Sequence, residues 1–424
     1  MRKGRIDNQE NKKKNDKKND NTINKGLKIV NLHKEKLKLE REKRKQKLIE
    51  NEKEYTKRSP IALGIVITII IFVVFLFLYF GPLIGISLNK AVGIDEDKRI
   101  DIIATDSDIY KTYCSELLVY SNQKIATYNN RGKNTWEYQL TSNYTPNIYI
   151  NKSFMAVTNN STGNIYLFEN KKEILNTKIE GKINEIFLDE YGNYAVEYST
   201  SGYKKVLGVY SKKGKNLYNV YLSSNPIFDV KIMDNANELL IFQIDSSTFK
   251  SGINICMADK NNQTEVKTIA SLDNNVIYDL TIQNRNIIML LDDKIVKCNI
   301  DTGNISDIYC FDSTQLMFIS LSNNYYTMLS KELNSENVNN YSIVSNRFDD
   351  TNISELKISD SPKLMKNSSV LNYLIYQDHL QVVNKWGVEV KNVSINFPPK
   401  EVIIFNNSKS IALIYTNKVY IVNI

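Results

Sequence analysis

Histidine is nearly absent: the 424 residues contain two, His33 and His379. Only His379 lies beyond the long apolar run at residues 61–80, so a histidine-dependent triad or a multi-histidine metal site cannot be assembled there. His379 is expected to be a surface or partly packed residue. Cysteine is scarce too, represented by Cys114, Cys256, Cys298 and Cys310. The last two flank one hairpin-like stretch, but a turn centred near Thr302 and Gly303 sets Cys298 opposite about residue 307, short of Cys310. Without a bulge those thiols do not meet, and buried inert cysteines are the expectation. No Gly-x-Ser-x-Gly elbow, phosphate loop or dinucleotide fingerprint occurs, so none of the chemistries those motifs signal is indicated. Glycine supplies only 16 residues. Asparagine pairs mark many bends instead, among them Asn129 with Asn130, Asn159 with Asn160 and Asn406 with Asn407, because asparagine tolerates the left-handed backbone.

The clearest feature present is residues 61–80, IALGIVITIIIFVVFLFLYF, which carry no charge. At about 1.5 Å per helical residue this run matches the thickness of a bilayer's hydrocarbon core. It predicts one transmembrane helix over 60–82. Residues 1–58 hold 21 Lys and Arg against 10 Asp and Glu, whereas residues 59–424 hold 34 against 37. The basic flank, with Lys57 and Arg58 at the membrane entry, predicts a cytoplasmic N-terminus and an extracytoplasmic C-terminal part. A cleaved signal peptide fits poorly, since the apolar run is long and no Ala-x-Ala site follows it. Residues 1–26 read as a disordered basic tail and 27–58 as a charged juxtamembrane helix, with Glu40 and Arg44 at the supportive i, i+4 spacing. Contact with anionic lipid is a candidate role for this cytoplasmic tail, but it has no motif for specific nucleic-acid recognition.

After a linker at 83–98, residues 99–424 repeat. Short apolar runs recur roughly every forty residues, at 116–120, 154–158, 194–198, 238–244, 286–291, 325–329, 370–376 and 411–415. Each leads into a second run, a polar turn and, except in the last copy, a third run. Stretches 124–140, 205–222, 294–311 and 380–395 therefore read as β-hairpins. Several first runs are apolar throughout, such as ELLIFQI and SIALIY, so both strand faces must be covered. Stacked four-stranded blades meet that demand, and the repeat length is that of a propeller blade. An up-and-down barrel would alternate, and a β-solenoid needs shorter, stricter periods. The expected fold is an all-β, eight-bladed β-propeller ectodomain, with seven blades as the alternative. The last copy ends one strand short at Ile424, and the orphan run 99–105 (RIDIIAT) is expected to supply that strand and close the ring.

The x-G-K-x-x-W pattern at Gly132, Lys133 and Trp136, echoed at Gly214 with Lys215 and loosely at Gly303, resembles the repeat of PQQ-type and WD40-type propellers. The architecture resembles an uncharacterised bacterial family of single-pass membrane-anchored proteins with such an ectodomain. Quinoprotein dehydrogenases of that superfamily stack their cofactor between a tryptophan and adjacent cysteines, beside calcium. This chain has no neighbouring cysteines, and its two tryptophans, Trp136 and Trp386, read as turn residues, so neither cofactor nor activity carries over. Acidic groups at Asp95, Glu96, Asp97, Asp106, Asp108, Asp301 and Asp307, with Asn304, read as solvated turns. No catalytic, cofactor-binding or metal-binding residue is assigned. The functional expectation is a noncatalytic, membrane-tethered binding or scaffold protein of the cell envelope that presents its propeller to a protein or polymer. A receptor signalling through the inner helix is the alternative, and a carboxylate-dependent enzyme using the central funnel is a third reading.

Overall fold

The computed structural model describes residues 35–50, 67–73, 98–102, 105, 107–141, 144–222, 225–245, 252–262, 265–311, 315–322, 324–331 and 340–424. The chain divides after Tyr79 into two units. In the first, residues 35–50 and 67–73 are helical. Among the described residues no helix is long and apolar enough to cross a membrane. Most of the expected span at 60–82, the tail at 1–26 and the linker up to residue 97 lie outside the described residues.

The second unit consists of eight four-stranded antiparallel sheets. Seven take their strands in simple chain order, as in blade 1: Ile109–Tyr113, Glu116–Ser121, Lys124–Tyr128 and Asn134–Gln139. Blade 8 has Glu401–Ile404, Ser410–Ile414 and Val419–Asn423 from the chain's end, and its fourth strand is Arg99–Ile100. Arg99 lies opposite Tyr420 and Ile100 opposite Val419. The expected closure by both chain ends is therefore present, and the ring has eight blades, not seven. The pairing is shorter than the seven-residue run suggested, although Ile102 still packs against the core that Ile100 enters.

Why the second strands are apolar on both faces follows from where the cores lie. Among the described residues eight hydrophobic clusters occur, each between two adjacent blades, so that every blade contributes to two. In blade 1, Leu118 and Tyr120 enter the core shared with blade 2, whereas Leu117 and Val119 enter the core shared with blade 8. In blade 4, Leu239 and Ile241 face blade 3, and Leu240 and Phe242 face blade 5. Alternation along a strand thus sends successive side chains into different cores, and neither face can be polar.

The glycine motif has a packing reason. Gly132, Gly214, Gly303 and Gly387 occupy the turns between third and fourth strands of blades 1, 3, 5 and 7, all with φ between +71° and +79°. Each turn lies against the outer strand of the preceding blade. A Cβ on Gly132 would approach the Lys98 carbonyl oxygen to 3.2 Å, one on Gly214 would reach Leu175 at 3.0 Å, and one on Gly303 would overlap the Ile269 carbonyl oxygen. Gly202 has a similar φ of +87° but faces open space. Gly202→Ala should therefore cost only the left-handed backbone penalty, roughly 1–2 kcal/mol. Gly303→Ala should cost about 1–3 kcal/mol more because the methyl group meets fixed backbone. Urea denaturation of the two variants checks the difference, and equal losses would remove the packing explanation.

Candidate functional site

The innermost strands of blades 2 and 3, 3 and 4, 5 and 6, 6 and 7, and 8 and 1 touch around the axis. They alternate, with one set of side chains in the cores and the other facing the channel. The channel contains a cavity of about 1050 Å³ that follows blade 4 from Phe228 to the turn at Asp234 and Asn235. Lys111 of blade 1, Tyr149 of blade 2, Glu185 of blade 3 and Thr281 of blade 5 also line it. A second cavity of about 490 Å³ shares Lys111, Ile150 and Asn151 with the first and reaches Lys366 of blade 7 and Val402 of blade 8.

Side chains at the ends of the innermost strands tie neighbouring blades together and so fix the lumen's width. Thr112 Oγ1 lies 2.7 Å from Asn406 Oδ1, joining blades 1 and 8. Asn151 donates to the Leu188 carbonyl at 2.7 Å, Asn193 to Asn235 at 3.1 Å, and Ser320 to Asn367 at 2.6 Å. Three buried tyrosines repeat one device: Tyr113, Tyr325 and Tyr373 donate to the carbonyls of Ser153, Ser368 and Ser408. Each acceptor sits in the first turn of the following blade. Such a partner offsets the cost of burying a phenol, and the ring supplies core packing at the same time.

Most lumen charges are already engaged. Asp229 pairs with Lys231 at 2.7 Å, and Glu190 pairs with Lys152. The Asp189 carboxylate accepts the backbone N–H groups of Tyr191 and Asn193, both at 2.8 Å. Lys111 donates to the Ile148 carbonyl at 2.6 Å, and burial lowers its pKa. Glu185 differs: it forms no salt bridge among the described residues. Burial holds its carboxyl above the ordinary range, with further upward pushes from Glu197 and Asp229, opposed by the Tyr149 phenol and Lys111. The Tyr149 phenol is in turn pushed up to about 12, by burial first and then by Glu185.

Residues singled out from sequence are dispersed. All four cysteines are free thiols, and Cys298 lies opposite Ile305 while Cys310 lies opposite Lys294. His379 is half-buried, stacked on Tyr376 at 4.3 Å, with Nδ1 2.7 Å from Asp378. Trp386 occupies a turn as expected, but Trp136 does not. It belongs to the outer strand Asn134–Gln139 and packs edge-on against Phe168 at 5.6 Å, where a blade boundary needs bulk. Asp301 pairs with Arg285 and Asp307 with Lys294. Asp108 accepts the Thr105 N–H at 2.8 Å. Asp95, Glu96, Asp97 and Asp106 lie outside the described residues. Among the described residues no three His, Cys, Asp or Glu side chains gather where a metal ion could be held. The lumen residues Lys111, Glu185 and Asp229 went unread because they stand on the innermost strands, whose weak alternation, as in NIYIN, gives a fainter signal than the apolar second strands.

Eight radial blades closed by a strand from the opposite chain end define a β-propeller of the WD40-like kind. The C-terminal WD40 domain of Sif2 is similar in structure, with a TM-score of 0.53 at 11% identity over 79% of this chain and 99% of that one. The WD40 domain of SCAP from fission yeast is also similar, with a TM-score of 0.48 at 9% identity over 76% of this chain and 95% of that one. Residues 90–424 match the family of unknown function DUF5711, and the chain belongs to that family. No curated protein matches the chain in sequence.

Glu185 makes a pH-dependent demand on the fold. Its folded pKa exceeds the unfolded one, so its ionised form opposes folding at neutral pH. That penalty shrinks as pH falls through the folded value and is gone below the unfolded value of about 4.3. Glu185→Gln should therefore raise the melting temperature at neutral pH and leave it unchanged near pH 3.5, that is, below the unfolded value. Thermal unfolding across that range checks the sign, and a neutral-pH loss would contradict it.

Proposed function

We propose that this chain is a noncatalytic binding or scaffold protein of the cell envelope, tethered by residues 60–82, with its N-terminus in the cytoplasm and its propeller outside. The binding role is carried by one observation: a rigid ring holds open a charged lumen of about 1050 Å³. Pockets of this size and mixed polarity take ligands or partner segments. A noncatalytic role is favoured because most lumen charges are committed to turns or ion pairs. Exposed rings at Tyr191, Tyr203, Tyr221 and Tyr278 add amphipathic contact surface.

The tether is supported by the uncharged run at 61–80 and by its described portion. Residues 67–73 are helical, and Ile67, Ile69, Ile70, Ile71, Phe72 and Val73 are all exposed. A helix apolar on every side needs a cover, and lipid provides one. The basic flank orients it.

The exposed Cys310 offers a topology test, since Cys256 and Cys298 are buried. In a Cys114→Ser background, a membrane-impermeant maleimide should label intact cells, and the further change Cys310→Ser should abolish the signal. Labelling only after lysis would put the propeller inside and overturn the reading.

A further inference from the structure

The chain joins the ring at an end whose turns are basic over one arc. In the seven blades built in chain order, the turns between first and second strands and between third and fourth strands lie at one end of the ring, because antiparallel strands return there. Asn151 to the Leu188 carbonyl and Ser320 to Asn367 join neighbouring blades at that end. The third-to-fourth-strand turns of blades 1, 2 and 3, residues 129–133, 170–171 and 211–215, carry Arg131, Lys133, Lys171, Lys212, Lys213 and Lys215 and no acidic residue. Lys171 pairs with Glu116 at 2.6 Å and Lys212 with Glu169 at 3.2 Å. The other four are exposed and form no ion pair among the described residues. Blade 7 adds Lys385 and Trp386 in the equivalent turn, with the ammonium 4.9 Å from the centre of an exposed indole. In blades 5 and 6 that turn carries Asp301, Asp349 and Asp350 instead. Positive charge therefore gathers on the arc that runs from blade 7 past blade 8 to blade 3.

The same arc contains the point where the chain arrives. Arg99–Ile100 is a fourth strand, fourth strands begin at this end, and Lys98 lies against the Gly132 turn. Residues 83–97 separate it from the expected membrane span. Fifteen residues reach about 50 Å at full stretch, so a tethered ring stays close to the bilayer from which it emerges. We propose that this basic arc docks on the anionic headgroups of that membrane, with Arg131, Lys133, Lys213 and Lys215 against lipid phosphates and Trp386 at the headgroup boundary. This rests on the tether proposed above and adds an orientation, in which the opposite end, with Asp292, Asp293 and Asp378 in its turns, faces away from the lipid. Basic side chains close to an anionic surface add their attractions, and an indole favours the boundary between headgroups and acyl chains. A soluble polyanion would match the charge, but it gives no part to the indole or to the place where the chain arrives.

The test reconstitutes the full chain in vesicles of brominated phosphatidylcholine, with or without phosphatidylglycerol. Bromine quenches tryptophan only on close approach, and Trp136 is packed against Phe168, so Trp386 is the reporter. Quenching should rise roughly twofold when phosphatidylglycerol is present and fall back at high salt. Trp386→Phe should remove the rise. Arg131, Lys133, Lys213 and Lys215 changed together to Gln should also remove it, with thermal unfolding confirming the folded state, whereas Lys363→Gln with Lys400→Gln at the opposite end should leave it intact. Equal quenching with and without phosphatidylglycerol would overturn the proposal, as would a rise that the four substitutions leave unchanged. If there is no rise but soluble polyphosphate binds the chain through those four residues, the arc takes a polyanion and lipid docking falls. Flotation separates this proposal from the tether: a chain that floats with neutral vesicles but shows no rise keeps its tether and loses the docking, and one that does not float loses the tether.

Discussion

The structure depends on water exclusion between adjacent blades. None of the eight sheets has a core of its own: each core forms only when two neighbours meet, and each blade is needed by two. A ring with one open seam would leave two apolar faces wet. The seam between blades 8 and 1 therefore matters as much as any other, although its strand pairing is limited to Arg99 and Ile100. Two paired residues cannot hold it by backbone bonds alone, given that a net hydrogen bond contributes only about 1 kcal/mol. The cluster of Ile100, Leu117, Val119, Phe405, Ile414 and Ile421 holds it, at roughly 1.5–3 kcal/mol for each large side chain buried. The strand from the N-terminal side locates the seam, and the core behind it supplies the free energy.

That closure joins segments more than three hundred residues apart in sequence, Ile100 with Val419. Loop-closure entropy grows only logarithmically with separation, so the distance costs little in stability. It costs more in rate, because non-local pairing is slow to find. The other seven blades pair their strands locally and can form before the ring shuts. Their cross-blade tyrosines, which donate from Tyr113, Tyr325 and Tyr373 into the next blade's first turn, favour assembly of neighbours in register.

Much of this was legible in the sequence. The second strands stood out because both their faces enter cores, which left unbroken apolar runs such as ELLIFQI. Closure was legible because blade 8 visibly lacked a strand and RIDIIAT stood alone. The glycine turns were legible as a motif, but their position against the preceding blade's outer strand was not, since a clash with Ile269 exists only in three dimensions. Trp136 misled for the same reason: near a turn in sequence, it is held by Phe168 of the next blade. The lumen was the least legible part. Its walls are the innermost strands, where one face is buried and the other answers to whatever occupies the channel, so no packing rule dictates their channel-facing residues.

This division of labour explains why fold and site carry such different signals. A second-strand residue such as Phe242 is fully buried and constrained by a neighbouring blade. Glu185 is constrained by nothing in the cores, and its surroundings make its charge unfavourable for folding. Burial, Glu197 and Asp229 oppose that charge, and the Tyr149 phenol and Lys111 offset them only in part. Marginally stable proteins tolerate such groups where function uses them. The ring is overdetermined by eight mutually dependent cores, and that surplus of packing allows a carboxylate whose charge is only partly offset to stand in its lumen.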